Sequence, residues 1–325
     1  MPNSKLENYL VRRISPDETY ANLLRFPRFF EIETVNACNA RCPMCTIDDW
    51  QRHTPVMKDD VFEKIAQELG QNAHEVKRVS LYRDGEPLLD KKMPQRIARL
   101  KRAGIRQVSI STNAGLLDEG RARAILEAGL DQIILSIDSI NKPVFEAIRA
   151  RLVLEEVLEN SLRLIRLRDE MKAKTQIWVR MIRQESNYDE WDAYKAFWEP
   201  KLSRQDRLSY HMIHNWGSQL KDFKAVAPSY EPGLPCIALW SLMVIFADGR
   251  VPLCNVDYND KHPSGDVAAT SIAEVWRNKV MNERRAWHLA GEKGRIDMCA
   301  NCNVWDEPSD KTKVASEFSE AFDVV

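Results

Sequence analysis

Seven cysteines are the residues of this chain whose type and spacing are most suited to chemistry. Three of them follow one another closely as C-x3-C-x2-C, at Cys38, Cys42 and Cys45, directly after an apolar, β-prone run at residues 29–35. Iron–sulfur clusters are held by cysteine thiolates, usually four of them. Three neighbouring thiols at the end of a strand therefore indicate a cluster that keeps one iron open to an outside ligand.

Zinc and disulfide bonds are the other common uses of close cysteines. Structural zinc prefers paired C-x2-C knuckles with four ligands, which this loop does not offer. The N-terminal residues MPNSKLENYL lack the apolar core of a secretory signal, so an oxidising compartment is not indicated. Zinc stays open as the next interpretation.

Composition narrows the class of protein. The 325 residues include 47 basic and 48 acidic ones, a net charge of −1, which predicts neither a nucleic-acid nor a membrane-surface partner. No apolar stretch approaches the roughly 20 residues that span a bilayer. We therefore expect a cytoplasmic protein, in a compartment where thiols stay reduced.

Strand-like and helix-like segments alternate from residue 29 onward. The predicted strands after the first are 76–82, 106–112, 132–138, 176–182 and 208–214. The predicted helices lie near 58–69, 90–103, 118–128, 143–173 and 187–199. Repeated β-then-α order predicts an α/β fold with a parallel sheet, and six strands predict a partial (β/α)6 barrel of the TIM type. Functional residues are then expected at the C-terminal ends of the strands.

Small polar residues follow several of these strands. The turn Asp84-Gly85-Glu86 comes after the second strand and Asn113 after the third. Ser136 and Asp138 lie at the end of the fourth predicted strand. Each alone is typical of a turn or a helix cap. Their shared position at successive strand ends makes the combination specific.

The cysteine loop and the strand-end residues together resemble the radical S-adenosylmethionine (SAM) superfamily. The resemblance implies that the open iron chelates SAM, and that Glu86 with the backbone of Asp84 and Gly85 meets its ammonium group. Asn113, Ser136 and Asp138 are then expected to face its ribose and carboxylate.

Three features near this site depart from the family or stay open. Asp84 replaces the first glycine of the family's Gly-Gly-Glu-Pro motif, and Met44 stands where an aromatic residue often packs on the adenine. A thioether can also pack on a base face. Arg180, on the fifth strand, is expected to neutralise the SAM carboxylate or to face the substrate, with an end-of-strand salt bridge as the alternative.

The other four cysteines form a second set. Cys236, Cys254, Cys299 and Cys302 follow the pattern C-x17-C-x44-C-x2-C, with a predicted hairpin at 242–254 and a predicted helix at 270–290. This pattern resembles the twitch subdomain, a short SPASM domain with one auxiliary [4Fe–4S] cluster. A four-thiolate zinc site is the alternative. Because four protein ligands leave no open iron, this cluster is expected to serve electron transfer or structure.

The predicted domains follow from these two sites. A radical SAM core with an N-terminal extension is expected over 1–217, the twitch domain over 218–308 and a tail over 309–325. The implied cofactors are two [4Fe–4S] clusters and SAM. The expected partners are a small-molecule substrate and an electron donor of the flavodoxin or ferredoxin type.

The resemblance also implies a reaction. The reduced cluster cleaves SAM to a 5′-deoxyadenosyl radical, which takes a hydrogen atom from the substrate. Family members with one twitch cluster act on small polyols, aminocyclitols and aminoglycosides. We therefore predict two-electron oxidation of a secondary alcohol of such a molecule, with the auxiliary cluster as electron acceptor.

Other outcomes remain open. Peptide modification, epimerisation of a carbohydrate and an electron-transfer scaffold are the alternatives, although a radical epimerase usually needs a spare cysteine and all seven are assigned here. A base is also needed for the hydroxyl proton. The candidates for the catalytic site are Arg180 and three residues near the end of the sixth strand, Tyr210, His211 and His214, for which packing is the competing interpretation.

Overall fold

The computed structural model describes residues 4–217, 219 and 234–302, so the predicted tail at 309–325 lies outside the described residues. The strands are β1 (Phe29–Ile32), β2 (Arg78–Ser80), β3 (Val108–Thr112), β4 (Gln132–Ser136), β5 (Gln176–Arg183), β6 (Arg207–Met212), β7 (Leu242–Ile245), β8 (Arg250–Val251) and β9 (Gly265–Asp266). The helices are α1 (Ser4–Ile14), α2 (Tyr20–Leu23), α3 (Asp59–Gln71), α4 (Met93–Arg102), α5 (Glu119–Glu127), α6 (Lys142–Ile148), α7 (Leu154–Glu170), α8 (Trp191–Trp198), α9 (Ala238–Ser241), α10 (Ile272–Arg277), α11 (Lys279–Leu289) and α12 (Asp297–Ala300).

The chain divides into two compact units. The core unit comprises 31–211 and 246–248, and the terminal unit comprises the described residues among 1–30, 212–245 and 249–302. The segment before β1 thus belongs to the terminal unit, whereas the sequence prediction attached it to the barrel. The domain limits themselves stay a prediction.

The core unit confirms the predicted α/β architecture. Its strands lie in the order β6-β5-β4-β3-β2-β1, and the registered pairs from β2 to β5 are parallel. All five residues of β4 are buried, as expected for a strand covered on both faces. The register places Ser136 of β4 beside Arg180 of β5. Polar residues that follow neighbouring strands therefore meet at one edge of the sheet.

The predicted helix at 143–173 is two helices, α6 and α7. Arg149 follows α6, and Arg151 adopts a positive φ of 74°, which a helix cannot contain. The break turns the segment 149–153 toward the cysteine loop, where the Arg41 N–H donates to the Ala150 carbonyl at 2.9 Å.

The terminal unit is built around buried tryptophans. Trp276 of α10 donates its Nε1–H to the Leu23 carbonyl at 3.1 Å, and Trp240 of α9 donates to the Tyr20 hydroxyl at 3.0 Å. Both rings are fully buried. Residues at the two ends of the sequence therefore share one core.

The turn at Asp248-Gly249 lies between β7 and β8 as predicted. The predicted hairpin at 242–254 would pair these two strands with each other, but β8 pairs with a different strand. β8 pairs antiparallel with the two-residue strand β9. Gly249 has a φ of 94°, and an added Cβ would lie 2.8 Å from that of Ala268. Glycine is therefore required at this turn.

No helix of the described residues combines the length and the apolar character needed to cross a membrane.

Candidate active site

The three N-terminal cysteines lie in the loop that follows β1. The loop turns tightly, with the Cys45 N–H donating to the Cys42 carbonyl at 2.9 Å. Cys42 is buried, and Cys38 and Cys45 are partly exposed. The loop therefore brings Cys42 and Cys45 together in one turn, and Cys38 precedes this turn by four residues.

Hydrogen-bond donors surround two of these sulfurs. The Ala40 N–H lies 3.4 Å from Cys38 Sγ, and Asn113 Nδ2 lies 3.8 Å from the same sulfur. On the other side, Arg149 Nη1 lies 3.8 Å from Cys42 Sγ. Such contacts stabilise thiolates and tune the potential of a bound cluster.

The thiols differ in their readiness to ionise. A hydrogen bond from Cys45 and the nearby Arg149 lower the pKa of Cys42 to about 6, although burial opposes this. The same Cys45–Cys42 bond, with burial, holds the pKa of Cys45 well above its ordinary value. Burial raises the pKa of Cys38. One thiolate is thus already favoured, and the donor set fits a cluster held by three thiolates.

A single metal ion is a different case from a cluster. Among residues 4–217, 219 and 234–302, no three His, Cys, Asp or Glu side chains converge on one position suited to a metal ion. A [4Fe–4S] cluster binds its thiolates on separate iron atoms, so its ligands need not converge on one point.

The turn after β2 is hydrogen-bonded to the cysteine loop. The Glu86 N–H donates to the Ala37 carbonyl at 2.9 Å. A Cβ on Gly85 would lie 2.5 Å from the Val35 carbonyl oxygen and 2.6 Å from that of Ala37. Only glycine therefore fits between the turn and the loop.

Glu86 joins this turn to the end of β3. Its carboxylate accepts hydrogen bonds from Thr112 Oγ1 at 2.7 Å, the Asn113 N–H at 2.9 Å and the Leu88 N–H at 3.0 Å. Burial raises the pKa of Glu86, against the effect of these donors. Asn113 in turn donates from Nδ2 to Asn39 Oδ1 at 2.9 Å in the cysteine loop. The predicted contacts of both residues with SAM stay predictions.

Asp84, the departure from the glycine motif, has ordinary backbone geometry. It is not among the described non-glycine residues with positive φ. Its buried carboxylate pairs with Arg83 and lies 3.7 Å from Arg52. Burial raises the pKa of Asp84 to about 6, although both arginines favour the charged form.

Arg180 and two serines form a polar group across three strands. Ser111 of β3 and Ser136 of β4 share a hydrogen bond of 3.1 Å, and Arg180 Nη2 donates to Ser111 Oγ at 3.4 Å. The Nε of Arg180 is buried without a hydrogen-bond partner. Burial lowers the pKa of Arg180. The structure gives no salt bridge to this residue within the described part of the chain, and its role toward SAM or the substrate stays a prediction.

Residues on β6 divide between the two faces of the sheet. His211 lies 6.2 Å from the ring of Trp178, which donates to Ser209 Oγ at 2.6 Å. Tyr210, the intervening residue, packs edge-on against Trp191 of α8 at 4.7 Å. Because successive side chains of a strand point to opposite faces, His211 shares the face of Ser209, whereas Tyr210 faces the helix layer.

Three predicted residues remain, namely Met44, Asp138 and His214. Met44 is buried, with Gln184 Nε2 3.9 Å from its sulfur. His214 belongs to the terminal unit, where its Nδ1 accepts the Trp216 N–H at 3.2 Å. Asp138 is fully buried and accepts a hydrogen bond of 2.5 Å from Arg149 Nε.

Sequence reasoning missed Arg149 and Ser111. Ser111 precedes Asn113 by two residues on β3, so strand alternation was a signal that could have found it. Arg149 lies within a helix-prone stretch, RARL, which carries no such signal.

The four C-terminal cysteines come together in the terminal unit. Burial raises the pKa of Cys236 well above its ordinary value, and the nearby charges of Cys302, Cys254 and Cys299 raise it further. Burial and then Cys302 raise the pKa of Cys299 to about 12. The backbone N–H of Cys236 also donates to His288 Nδ1 at 3.2 Å. Four thiols close enough to influence one another fit a fully ligated cluster.

Family models match the two parts of the chain that carry the two cysteine sets. Residues 32–179 match the family model of the Radical SAM superfamily, and residues 236–303 match SPASM, an iron–sulfur cluster-binding domain. Residues 32–179 therefore form a radical SAM domain, and a SPASM domain follows it in the chain. These domains imply SAM and iron–sulfur clusters, which confirms the predicted cofactors.

Individual relatives divide into two kinds. The chain is 33% identical to a probable GTP 3′,8-cyclase of Sulfolobus acidocaldarius over 131 residues, or 39% of the chain and 40% of that protein's length. It is 21% identical over 277 residues to the S-adenosyl-L-methionine-dependent 2-deoxy-scyllo-inosamine dehydrogenase of Niallia circulans, covering 84% of the chain and 91% of that protein.

Among solved structures, the fold is similar to BtrN in complex with AdoMet and 2-DOIA. The TM-score is 0.59 at 19% identity, over 85% of the chain and 93% of that protein. This likeness supports the shared fold.

Proposed function

We propose that this chain is a radical SAM dehydrogenase that oxidises a secondary alcohol of a sugar, aminocyclitol or aminoglycoside to a ketone. The observation that carries the proposal is the alignment of 277 residues, across both domains, with a SAM-dependent dehydrogenase of an aminocyclitol. The cyclase of Sulfolobus acidocaldarius, by contrast, aligns over only 131 residues, or 39% of the chain.

The cofactors supply the oxidising chemistry. When bound, the reduced cluster and SAM provide a 5′-deoxyadenosyl radical that removes a hydrogen atom from a carbon of the substrate. The residues of the chain hold that carbon in place and exclude water.

The polar face of the sheet supports a substrate rich in hydroxyl groups. Ser111, Ser136 and Arg180 offer donors and acceptors at the ends of three strands. The buried Nε of Arg180 keeps a donor available for a ligand oxygen. A buried donor without a partner is costly, so a ligand that bonds to it gains affinity.

We propose His211 as the base that accepts the hydroxyl proton. It shares the strand face of Ser209 and the ring of Trp178, whereas Tyr210 packs on Trp191. The Nδ1 of His214 is engaged by the Trp216 N–H. An imidazole can accept a proton near neutral pH.

The seven cysteines bear on the outcome of the reaction. All seven belong to the two predicted cluster sites, so none is available to return a hydrogen atom to the substrate. This favours oxidation over epimerisation and over peptide modification by thiol-assisted routes. An electron donor of the flavodoxin or ferredoxin type and a cytoplasmic location complete the proposal, because reduced thiols and clusters need a reducing compartment.

Anaerobic turnover in deuterium oxide tests the proposal. A panel of aminocyclitols, sugars and peptides is supplied with SAM and a reductant, and products are examined by mass. We expect a ketone from a cyclitol or sugar, one 5′-deoxyadenosine per product and no deuterium at the reacting carbon. The variant with Cys38, Cys42 and Cys45 changed to alanine is the negative control, because it is expected not to cleave SAM.

Two results would contradict the proposal. A product of unchanged formula that carries one deuterium would show epimerisation, and turnover of peptides alone would show the wrong substrate class.

A further inference from the structure

A buried ion pair between Arg149 and Asp138 lies beside Cys42, one of the three N-terminal cysteines. Arg149 Nε donates to Asp138 Oδ2 at 2.5 Å, and Arg149 Nη1 lies 3.8 Å from Cys42 Sγ. The side chain of Asp138 is fully buried and that of Arg149 is 10% exposed. Solvent therefore screens the positive charge of Arg149 only weakly where it faces Cys42.

Asp138 is itself fixed by two further contacts. Its Oδ1 accepts the Ile182 N–H at 2.6 Å, and its backbone carbonyl accepts from Asn187 Nδ2 at 2.7 Å. The carboxylate is thus held by the end of β5, and the backbone of Asp138 is held by the segment after β5. Because the Asp138 carboxylate is fixed by these contacts, it can hold the Arg149 side chain in one orientation.

The segment of Arg149 is tied to the cysteine loop independently of its side chain. The Arg41 N–H donates to the Ala150 carbonyl at 2.9 Å. Arg41 is next to Cys42 in the sequence, and Ala150 is next to Arg149. The distance from Arg149 to Cys42 is therefore fixed through the backbone as well as through Asp138.

We propose that Arg149 is a positioning residue that makes the N-terminal cluster easier to reduce, and that Asp138 holds it against Cys42. One-electron reduction adds a negative charge to the cluster. A fixed positive charge beside one ligand stabilises that added charge, and hydrogen bonds to cluster sulfurs act in the same direction. The proposal concerns the cluster alone and does not rest on the proposed substrate.

The test is the reduction potential of the N-terminal cluster measured without SAM, which separates this role from any contact with SAM. Wild type is compared with Arg149→Met, Arg149→Lys and the matched control Arg151→Met, which removes an exposed arginine two residues away. The spectral signal is assigned with the variant in which Cys38, Cys42 and Cys45 are alanine.

In Arg149→Met, reduction is expected to become about tenfold less favourable, a shift of about 59 mV to more negative potential for one electron. Arg149→Lys is expected to shift less because it keeps the charge, and Arg151→Met is expected to match wild type. A fully loaded Arg149→Met with the wild-type potential overturns the proposal.

A second measurement gives an answer even if Arg149→Met loses its N-terminal cluster, because it uses the wild-type protein. Wild-type protein is grown with arginine labelled with nitrogen-15 only in the guanidinium group, and the reduced cluster is examined for hyperfine coupling to that nitrogen. The coupling is expected in wild type and Arg151→Met and is expected to vanish in Arg149→Lys. Its absence from wild type overturns the proposal.

Discussion

Arg168 of α7 and Asp206, the residue before β6, bind each other through two hydrogen bonds of 2.7 Å. Their side chains are 1% and 0% exposed. Asp206 also accepts the Ile177 N–H of β5 at 2.8 Å. One carboxylate therefore connects a helix and two strands of the core unit.

We predict that Asp206→Asn lowers the free energy of unfolding by about 3 kcal/mol, because the buried charge of Arg168 then keeps only Asp169, whose side chain is 60% exposed, as an ionic partner. Glu63→Gln is the matched control. Its ion pair with Arg99 is largely exposed, at 56% and 26%, and is expected to contribute at most about 1 kcal/mol. Anaerobic urea unfolding followed by circular dichroism measures both, and equal losses would contradict the prediction.

The same pair predicts a dependence of stability on pH. Burial would raise the pKa of Asp206, but the hydrogen bonds from Arg168 and from backbone N–H groups hold it below its ordinary value of 3.8. The stabilisation is therefore full above pH 3.8 and is lost as the pH falls through the lower folded value. Unfolding free energies of wild type and Asp206→Asn are expected to converge in that acid range. A constant difference between them would refute this.

Gly85→Ala is predicted to disrupt the N-terminal site. The new Cβ would lie within 2.6 Å of the carbonyl oxygens of Val35 and Ala37, so the cysteine loop must move. We expect iron to fall from about eight to about four per chain and SAM cleavage to fall at least about tenfold. Gly120→Ala is the control because its nearest contact, with Asp118, is 3.4 Å away. Normal iron and cleavage in Gly85→Ala would show that the loop has room to adjust.

Replacing Cys38, Cys42 and Cys45 together by alanine is predicted to halve the iron and abolish SAM cleavage. Each set of cysteines holds its own cluster, so about four irons remain at the second site. Iron and zinc analysis with an assay for 5′-deoxyadenosine measures the outcome. Tightly bound zinc in place of the remaining iron would contradict the assignment of the second site.

Cys299→Ala is predicted to separate SAM cleavage from product formation. A folded variant keeps the three N-terminal thiols and is expected to make 5′-deoxyadenosine, but it yields little ketone because the four-cysteine site is incomplete. Iron content, 5′-deoxyadenosine and product are measured on the same sample. Unchanged product in a variant that lacks the second cluster would refute an electron-accepting role for that site.

The sequence allowed the parallel sheet to be predicted because its strands are apolar runs with turn residues between them. Gln132–Ser136, for example, is a short apolar run that follows the turn at Gly129, which favours a strand, and the structure buries it at every position. The cysteine sets were equally readable, since spacing alone distinguishes three ligands from four.

Features that depend on contacts far apart in the sequence were not readable. The stretch 149–153 is helix-prone, yet it breaks where Arg149 reaches Asp138 and Cys42, so tertiary contacts override local propensity. The partner of β8 was missed for a similar reason, because β9 has only two residues and carries no strand pattern of its own.

The close approach of Gly85 to the cysteine loop also bears on how this motif evolves. We expect the two positions of the family's glycine pair to tolerate substitution differently in this chain. Position 85 has carbonyl oxygens 2.5 and 2.6 Å from where a side chain would begin, so substitutions are expected to be purged. Position 84 does not adopt a positive φ, and its side chain pairs with Arg83 and lies 3.7 Å from Arg52, so we expect it to diverge only together with these arginines. Relatives that keep aspartate at 84 should keep arginine at 83, and a search pattern requiring both glycines would pass over this branch of the family.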